Sequence, residues 1–509
     1  MVAGSDERRG LRMLRRLLKY RRLLAVPAGA LLALAVVSAA NAGGSQDDVG
    51  VIVEDIATAV DSAWLMLAAF LVFLMQAGFA MLEAGFVRAK NTVNILMKNI
   101  LDVSVGAIAF WAVGWAIAYG LSGDVSNGFV GDGHFFLAGF TDYPSWIFQF
   151  AFAATAATIV SGAMAERTAF RAYLFYTVFI TAFIYPVVVH WVWDGNGWLT
   201  AFTDNPIGTN GYLDFAGSSV VHMVGGLAGL VGAMVVGPRI GKFGKGGAVN
   251  PIPGHNIALA TLGVFILWFG WYGFNPGSTL GLTGGFAALA AKVAVNTTLA
   301  AAAGAVGVTA LSKLRTGSYD MGLTLNGALG GLVAITAPCA VVEPWAAVVI
   351  GLVAAPIIVG GVAGLDRLRI DDPVGAVSVH GFAGIWGVLS VGLFATKGGI
   401  AAAYVPSDQY GLFMGGGIEQ LGIQALGMIA IAGWTLVTSA ILFLVIKYTV
   451  GIRISEEEER RGLDLGEHEA EAYPDFSPAA GSGLMPGVLM SDMPPNVSGA
   501  SPAPDSDES

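Results

Sequence analysis

Two histidines, His222 and His380, stand inside long apolar stretches, and the residues leading to them match. They read Asp214-Phe-Ala-Gly-Ser-Ser-Val-Val-His222 and Asp372-Pro-Val-Gly-Ala-Val-Ser-Val-His380. In both, an Asp lies eight residues before the His, a Gly five before it and a Val directly before it. An ionisable group in hydrocarbon costs about 2.5 to 3.5 kcal/mol on insertion scales and usually marks a pathway. One such histidine is commonly no more than a hydrogen bonder between helices, but two at equivalent repeat positions point to a shared role. Neutral imidazoles can donate to one another while offering a lone pair inward, and they can accept or relay a proton. That suits a substrate that sheds a proton and regains it.

Aromatic rings form the second group: Phe148, Phe152, Trp193, Trp271 and Phe274. In a chain with 12 Trp and 28 Phe most rings serve packing or the interface belt, so placement has to single these out. Phe148 and Phe152 lie one turn apart at the start of the third apolar stretch, and Trp193 ends the fourth. Trp271, Phe274 and Ser278 share one face at the end of the sixth. Brought together, such ring faces and one hydroxyl hold a small ammonium-like cation by cation–π attraction, about 0.5 to 2 kcal/mol per ring. A phenyl pair beneath them can shut a pore to water and ions. Asp214 and Asp372 open apolar stretches, where capping of exposed backbone N–H groups is the commoner role. Asp214 can in addition lower the free energy of a nearby cation, whereas Asp372 is expected to be structural.

The elements that must carry these groups are membrane helices. Of the 509 residues 55% are hydrophobic and only 12% charged, against about 25% charged in soluble domains. A single cysteine, Cys339, excludes a disulfide scaffold and sites built from several thiolates. No metal or cofactor is expected. Neither His-Glu-x-x-His nor Gly-x-Ser-x-Gly occurs, so the chain is not expected to be an enzyme. His134, His255 and His468 fall in loops or the tail and are expected to have no catalytic part.

Eleven apolar stretches have roughly the 20-residue length that crosses a bilayer. They lie near 62–86, 95–120, 146–166, 172–193, 217–237, 257–275, 285–311, 321–338, 345–365, 375–395 and 419–447. One set of connections carries Arg88, Lys90, Arg167, Arg171, Arg239, Lys242, Lys245, Lys313, Arg315, Arg367 and Arg369, while the other has only Lys397. The positive-inside rule makes the first set cytoplasmic, with the N-terminus outside and the Lys447/Arg453 end inside. The matched histidine runs start spans five and ten, which then run in opposite directions. The expected fold is therefore all-α and integral to the membrane: eleven transmembrane helices, as two inverted five-helix repeats plus a long eleventh helix. Runs such as Gly225-Gly226-Leu227-Ala228-Gly229 let helix backbones approach closely.

Four parts follow along the chain. Residues 1–42 carry eight basic residues from Arg8 to Arg22, an apolar run from Leu23 to Val37 and Ala40-Asn41-Ala42. They read as a cleaved secretory signal peptide, the alternative being an uncleaved extra helix. Residues 43–451 form the membrane domain, 452–476 a cytoplasmic C-terminal regulatory segment, and 477–509 a disordered acidic tail rich in Ser and Pro. Residues 453–509 hold 13 acids and 3 bases, which accounts for the whole net charge of -10. No nucleic-acid partner is expected.

Further motifs carry a resemblance. Phe-Gln-Phe-Ala-Phe at 148–152 leads to Gly-Ala-Met-Ala-Glu-Arg at 162–167. Gly-Trp-Tyr-Gly-Phe-Asn-Pro-Gly-Ser occupies 270–278, Asp371-Asp372-Pro373 precedes His380, and a Gly451-Ile-Arg to Gly462-Leu-Asp464 segment follows the last span. With the Asp214–His222 run, residues 55–476 resemble the Amt branch of the Amt/Rh ammonium transporters. The Rh branch usually lacks the Trp193 and Ser278 pair. The resemblance implies a homotrimer with a separate pore in each subunit, in a bacterial plasma membrane. It implies an external ammonium site at Phe148, Phe152, Trp193 and Ser278, and a gate at Phe152 and Phe274. It further implies a pore at His222 and His380 beside Trp271, with Asp214 supporting recruitment. Methylammonium is a possible second substrate, and a PII-type signal protein a possible partner of residues 452–476. The loop 194–212 and the extension beyond Phe476 depart from the pattern. The function expected is electrogenic uptake: ammonium gives up its proton near the gate, ammonia crosses the pore, and the proton travels separately. A sensor that reports ammonium through its tail is the alternative.

Overall fold

A computed structural model describes residues 46–121 and 127–474. The expected signal peptide and the 477–509 tail lie outside the described residues. Among the described residues eleven helices of 16 residues or more follow in order: α1 (Gln46–Phe86), α2 (Ala89–Tyr119), α3 (Tyr143–Met164), α4 (Phe170–Trp193), α5 (Ser218–Val236), α6 (Ile257–Phe274), α7 (Phe286–Thr316), α8 (Met321–Thr336), α9 (Pro344–Arg367), α10 (Val377–Phe394) and α11 (Glu419–Thr449). Among the described residues no strand forms; two isolated bridges, Thr168 with Arg453 and Phe243 with Val249, are the extent of β pairing.

Ten of the eleven are long and apolar enough to cross a bilayer. The exception is α8, with 16 residues. Every residue from Leu325 to Thr336 is buried, so this helix is enclosed by protein and needs no full lipid-matching length. The other departure is α1, which begins at Gln46 and not near 62. No proline interrupts the residues before 62, and nothing compels a helix to stop where its composition turns polar. Side-chain caps set other starts: Asp142 accepts from Ser145 N, Asn256 from Leu259 N and Asp320 from Leu323 N.

The same pairings recur in both halves. The first and sixth helices pack along each other, α3 packs on α5 as α8 packs on α10, and α2 on α4 as α7 on α9. Both histidine runs are built alike. Gly217 and Gly375 adopt left-handed backbone, φ +107° and +81°, which only glycine accepts cheaply. That twist folds the following N–H groups onto the preceding Asp. Asp214 accepts from the N–H groups of Gly217, Ser218, Ser219 and Val220 at 2.8 to 3.1 Å and from Ser219 Oγ at 2.7 Å. Asp372 accepts from Gly375, Ala376 and Val377 N at 2.8 to 3.1 Å. Each helix then opens with a π-helical turn, Ser218–Met223 or Val377–Phe382, that contains its histidine. Helices α5 and α10 cross where a Cβ on Gly226 would lie 2.2 Å from Gly381 N, so glycine there lets the histidines meet.

Residues 452–474 close one face, here termed the tail face. Ser455 and Glu458 form a capping box for the short helix Glu456–Arg461, and a second short helix, Leu463–Glu467, follows. Asp464 accepts from Val93 N and Asn94 N at the start of α2, and Glu467 from Phe170 N at the start of α4. Lys90 Nζ donates to the carbonyls of Glu459 and Arg460.

Candidate functional site

At the face opposite the tail, a vestibule of about 470 Å³ opens, lined among others by Phe148, Phe152, Trp193 and Ser278. Phe148 and Phe152, one turn apart on α3, have ring centroids 4.6 Å apart. Trp193, the last residue of α4, meets Phe152 edge-on at 5.9 Å, and its Nε1–H donates to Asp214 O at 2.8 Å. With its polar edge committed, the indole leaves its apolar faces for other contacts. Ser278 Oγ donates to Phe274 O at 2.8 Å, which leaves the hydroxyl lone pairs free to accept from a donor. The connection 194–212 folds back on the start of α11 through Asn210, which donates to Gln409 O and Gln420 Oε1. It supplies Asp194 and Phe202 to the vestibule wall.

Below the vestibule the rings form one stack. Phe152 lies on Phe274 with centroids 4.1 Å apart and planes 28° apart. Phe274 lies 5.2 Å from the His222 ring, and His222 5.2 Å from His380. Trp271 stacks on His222 at 5.0 Å and donates from Nε1 to Thr336 Oγ1 at 3.0 Å. The two Nδ1 atoms approach to 3.2 Å, while His222 Nε2 is buried without a partner. Two neutral imidazoles can share that contact only if one carries its proton on Nδ1 and the other on Nε2. The pair therefore offers the interior one N–H and one lone pair, whichever ring holds which.

The sequence pattern of the Ammonium Transporter Family matches residues 63–473. The chain belongs to that family. Ammonium transporter Amt2 of Archaeoglobus fulgidus is 46% identical over 450 residues, covering 86% of this chain and 93% of the relative. Ammonium transporter 1 member 1 of Oryza sativa subsp. japonica is 46% identical over 435 residues, 82% of this chain and 86% of its own. A solved structure described as a Sensor Amt Protein superposes with a TM-score of 0.74 at 37% identity, covering 82% of this chain and 100% of that one. Mep2 of Candida albicans gives a TM-score of 0.69 at 29% identity, over 78% of this chain and 87% of its own. The family is one of membrane transporters and not of enzymes, with ammonium as the substrate in its name.

Within this ammonium transporter family member, every site residue named from the sequence falls on the vestibule or the ring stack, except one. Asp214 is 2% exposed with its carboxylate given to backbone N–H groups, so it frames α5 and does not line the vestibule. Sequence reasoning missed Tyr119 and Gln149 in the vestibule wall, Thr336 beneath Trp271, and Phe79, whose ring lies 6.0 Å from His380. None carries a local signal, because partners distant in the chain define each. It also passed over His190, buried with Nδ1 3.1 Å from Ala118 O. His255 and His468 join the tail: His255 Nε2 lies 2.9 Å from Tyr473 Oη, and His468 Nε2 3.0 Å from Asn94 Nδ2.

The tail face holds a buried network of ion pairs. Arg239 grips Asp371 through Nε and Nη2 at 2.8 and 2.9 Å and reaches Glu166 at 3.3 Å, which Arg88 also contacts at 2.6 Å. Arg167 donates to the carbonyls of Ala165, Gly237 and Asp371. Burial by itself raises the Asp371 carboxyl, but the hydrogen bonds and charge of Arg239, with Arg167 nearby, bring it down to about 2. A cleft of about 510 Å³ also lies on this face, lined by residues such as Lys90, His255, Arg461 and Tyr473. It is remote from the ring stack.

Proposed function

We propose that this ammonium transporter takes up ammonium electrogenically. The ion is held among Phe148, Phe152, Trp193 and Ser278, loses a proton at the Phe152/Phe274 gate, and crosses as ammonia past His222, His380 and Trp271, while the proton moves separately. The observation that carries this reading is the unbroken stack from Phe152 through Phe274 and His222 to His380, at 4.1, 5.2 and 5.2 Å. An intact ion entering so apolar a path loses hydration worth on the order of tens of kcal/mol in a low dielectric. Ring faces return only about 0.5 to 2 kcal/mol each. A neutral amine loses far less and can bond to both members of the histidine pair. Moving the charge lets a membrane potential of 100 mV contribute about 2.3 kcal/mol per ion. Asp214 acts from beneath by fixing the Trp193 edge.

The proposed setting is a bacterial plasma membrane with the vestibule outside and the tail face in the cytoplasm, following the basic loops. In this reading residues 1–42 are removed as a signal peptide, three copies assemble with one pore each, and methylammonium is a second substrate. The C-terminal segment is the proposed contact for a PII-type signal protein.

The test is the charge moved into proteoliposomes after an ammonium jump, for the native protein and for His222→Ala combined with His380→Ala. Current that the double change abolishes, or turns into potassium leak, supports the reading. Ammonia flux with no current in the native protein would make it a neutral gas channel. A sensor reading has its own support, in the tail's hydrogen bonds to the starts of α2 and α4 and the likeness to a Sensor Amt Protein. Binding of ammonium without flux, with tail contacts changing, would favour it.

A further inference from the structure

Glu83 lies one turn from the tail-face end of α1 and is 2% exposed. Ser161 Oγ donates to its Oε2 at 2.8 Å and Asn99 Nδ2 at 3.3 Å, and Asn99 Oδ1 accepts from Thr158 Oγ1 at 3.1 Å. Among the described residues it makes no direct ion pair: the neighbouring Lys98 ammonium donates to Thr168 O. Its other oxygen, Oε1, lies toward Gly162, where a Cβ would come within 3.7 Å. On that side is a small cavity whose wall includes Glu83, Phe79, Gly162, Val379 and His380, with room for about one water. A carboxyl group in no ion pair thus borders the same water-sized space as the deeper pore histidine. Such a group inside a membrane helix is costly unless a pathway uses it.

We propose that Glu83 is the proton station on the tail side of the histidine pair, taking the separately moving proton and returning it to ammonia at the exit. The proposal rests on the electrogenic reading above. The steps balance: the N–H that ammonium breaks at the gate re-forms on the histidine pair, giving the His380 imidazolium, and that N–H breaks as an O–H forms on Glu83 through the intervening water, leaving neutral imidazole. The Glu83 O–H then breaks as an N–H forms on ammonia, giving ammonium and restoring the carboxylate. The titratable groups facing Glu83 are Lys98 and Asp102 from α2, Tyr173 and Tyr176 from α4 and His380 from α10.

The experiment compares ammonium-evoked current and ammonia flux in proteoliposomes for the native protein, Glu83→Gln and Glu83→Asp, across internal pH. Gln still accepts from Ser161 and Asn99 but cannot carry the proton. Its current is expected to fall at least about tenfold, the lower range for a lost proton-transfer group, while ammonia flux persists. Glu83→Asp is expected to restore current with a displaced pH profile, which a purely structural role would not produce. Glu83→Gln current within about twofold of native, with an unchanged pH profile, overturns the proposal and leaves electrogenic transport standing. Absence of current in the native protein defeats both. Should Glu83→Gln fail to assemble, Glu83→Asp decides: a native pH profile overturns the proposal and a displaced one supports it.

Discussion

The vestibule face and the tail face handle polarity in opposite ways. At the vestibule end the polar atoms are committed to neutral partners: Trp193 N–H to Asp214 O, Ser278 O–H to Phe274 O, and the Asp214 carboxylate to four backbone N–H groups. Around Trp193 and Ser278 what remains is ring face and one hydroxyl lone pair, both attractive to a cation, and the vestibule wall adds the carboxylates of Asp142 and Asp194. At the tail end Arg88, Glu166, Arg239 and Asp371 neutralise one another in a buried network. Its attraction is spent internally, on holding loops together. The difference is that one end leaves electron-rich surface unsatisfied, while the buried ion pairs at the other serve as fasteners.

The largest expected effect comes from breaking the fastener. Removing one partner of a buried ion pair costs about 3 to 5 kcal/mol, because the other charge is left uncompensated. Arg239→Gln exposes Asp371 and Glu166 to that cost. The melting temperature in detergent should fall by several degrees, while the ammonium concentration that half-saturates the current in surviving protein stays native. A native melting temperature would show that the network is ornamental. The pH dependence has a definite sign. Asp371 sits at about 2 against an ordinary 3.8, so its contribution is whole above pH 3.8 and is lost as pH falls toward 2. Asp371→Asn should remove that part of the acid-induced loss of stability.

This contrast was half legible in the chain. The Asp-x-x-Gly portion of each histidine run could be read because every member serves the backbone. Gly217 and Gly375 supply positive φ, and Asp214 and Asp372 collect the N–H groups so exposed. Span positions followed from apolar length, apart from the 16-residue α8, which protein encloses, and the early start of α1. The ring residues could be grouped because each ends or begins a span on the same side. The network was not legible, since Arg239, Glu166 and Asp371 come from three separate connections; Arg239 alone reads as a topology signal, and Glu166 and Asp371 only as members of two motifs. Asp214 was legible as a cap and not as wholly enclosed, because spacing does not count how many donors converge on a carboxylate. Glu83 was passed over in its apolar span, and its nearness to His380 depends on a crossing that no local pattern encodes.

At the vestibule end the next largest effect falls on Trp193. Trp193→Ala removes a ring face worth about 0.5 to 2 kcal/mol to a cation, which is roughly a 2- to 30-fold rise in half-saturating ammonium. Trp193→Phe keeps a ring but loses the N–H that Asp214 O accepts, so it should fall between native and Ala. Half-saturation unmoved by Trp193→Ala would mean that the aromatic end does not hold the ion, and the contrast between the two ends would collapse.

Ser278→Ala is the smallest change and the sharpest. With its proton given to Phe274 O, Ser278 Oγ can only accept from a cation, and losing one such bond costs about 0.5 to 1.5 kcal/mol. Ammonium should therefore bind roughly 2- to 10-fold more weakly. Tetramethylammonium separates hydrogen bonding from ring attraction, because it has charge but no N–H to donate. As a competitor of ammonium current, it should be unaffected by Ser278→Ala yet weakened by Trp193→Ala. Equal sensitivity of the two cations to Ser278→Ala would mean that the hydroxyl shapes the vestibule without accepting from the ion, and would leave the rings alone as the source of attraction.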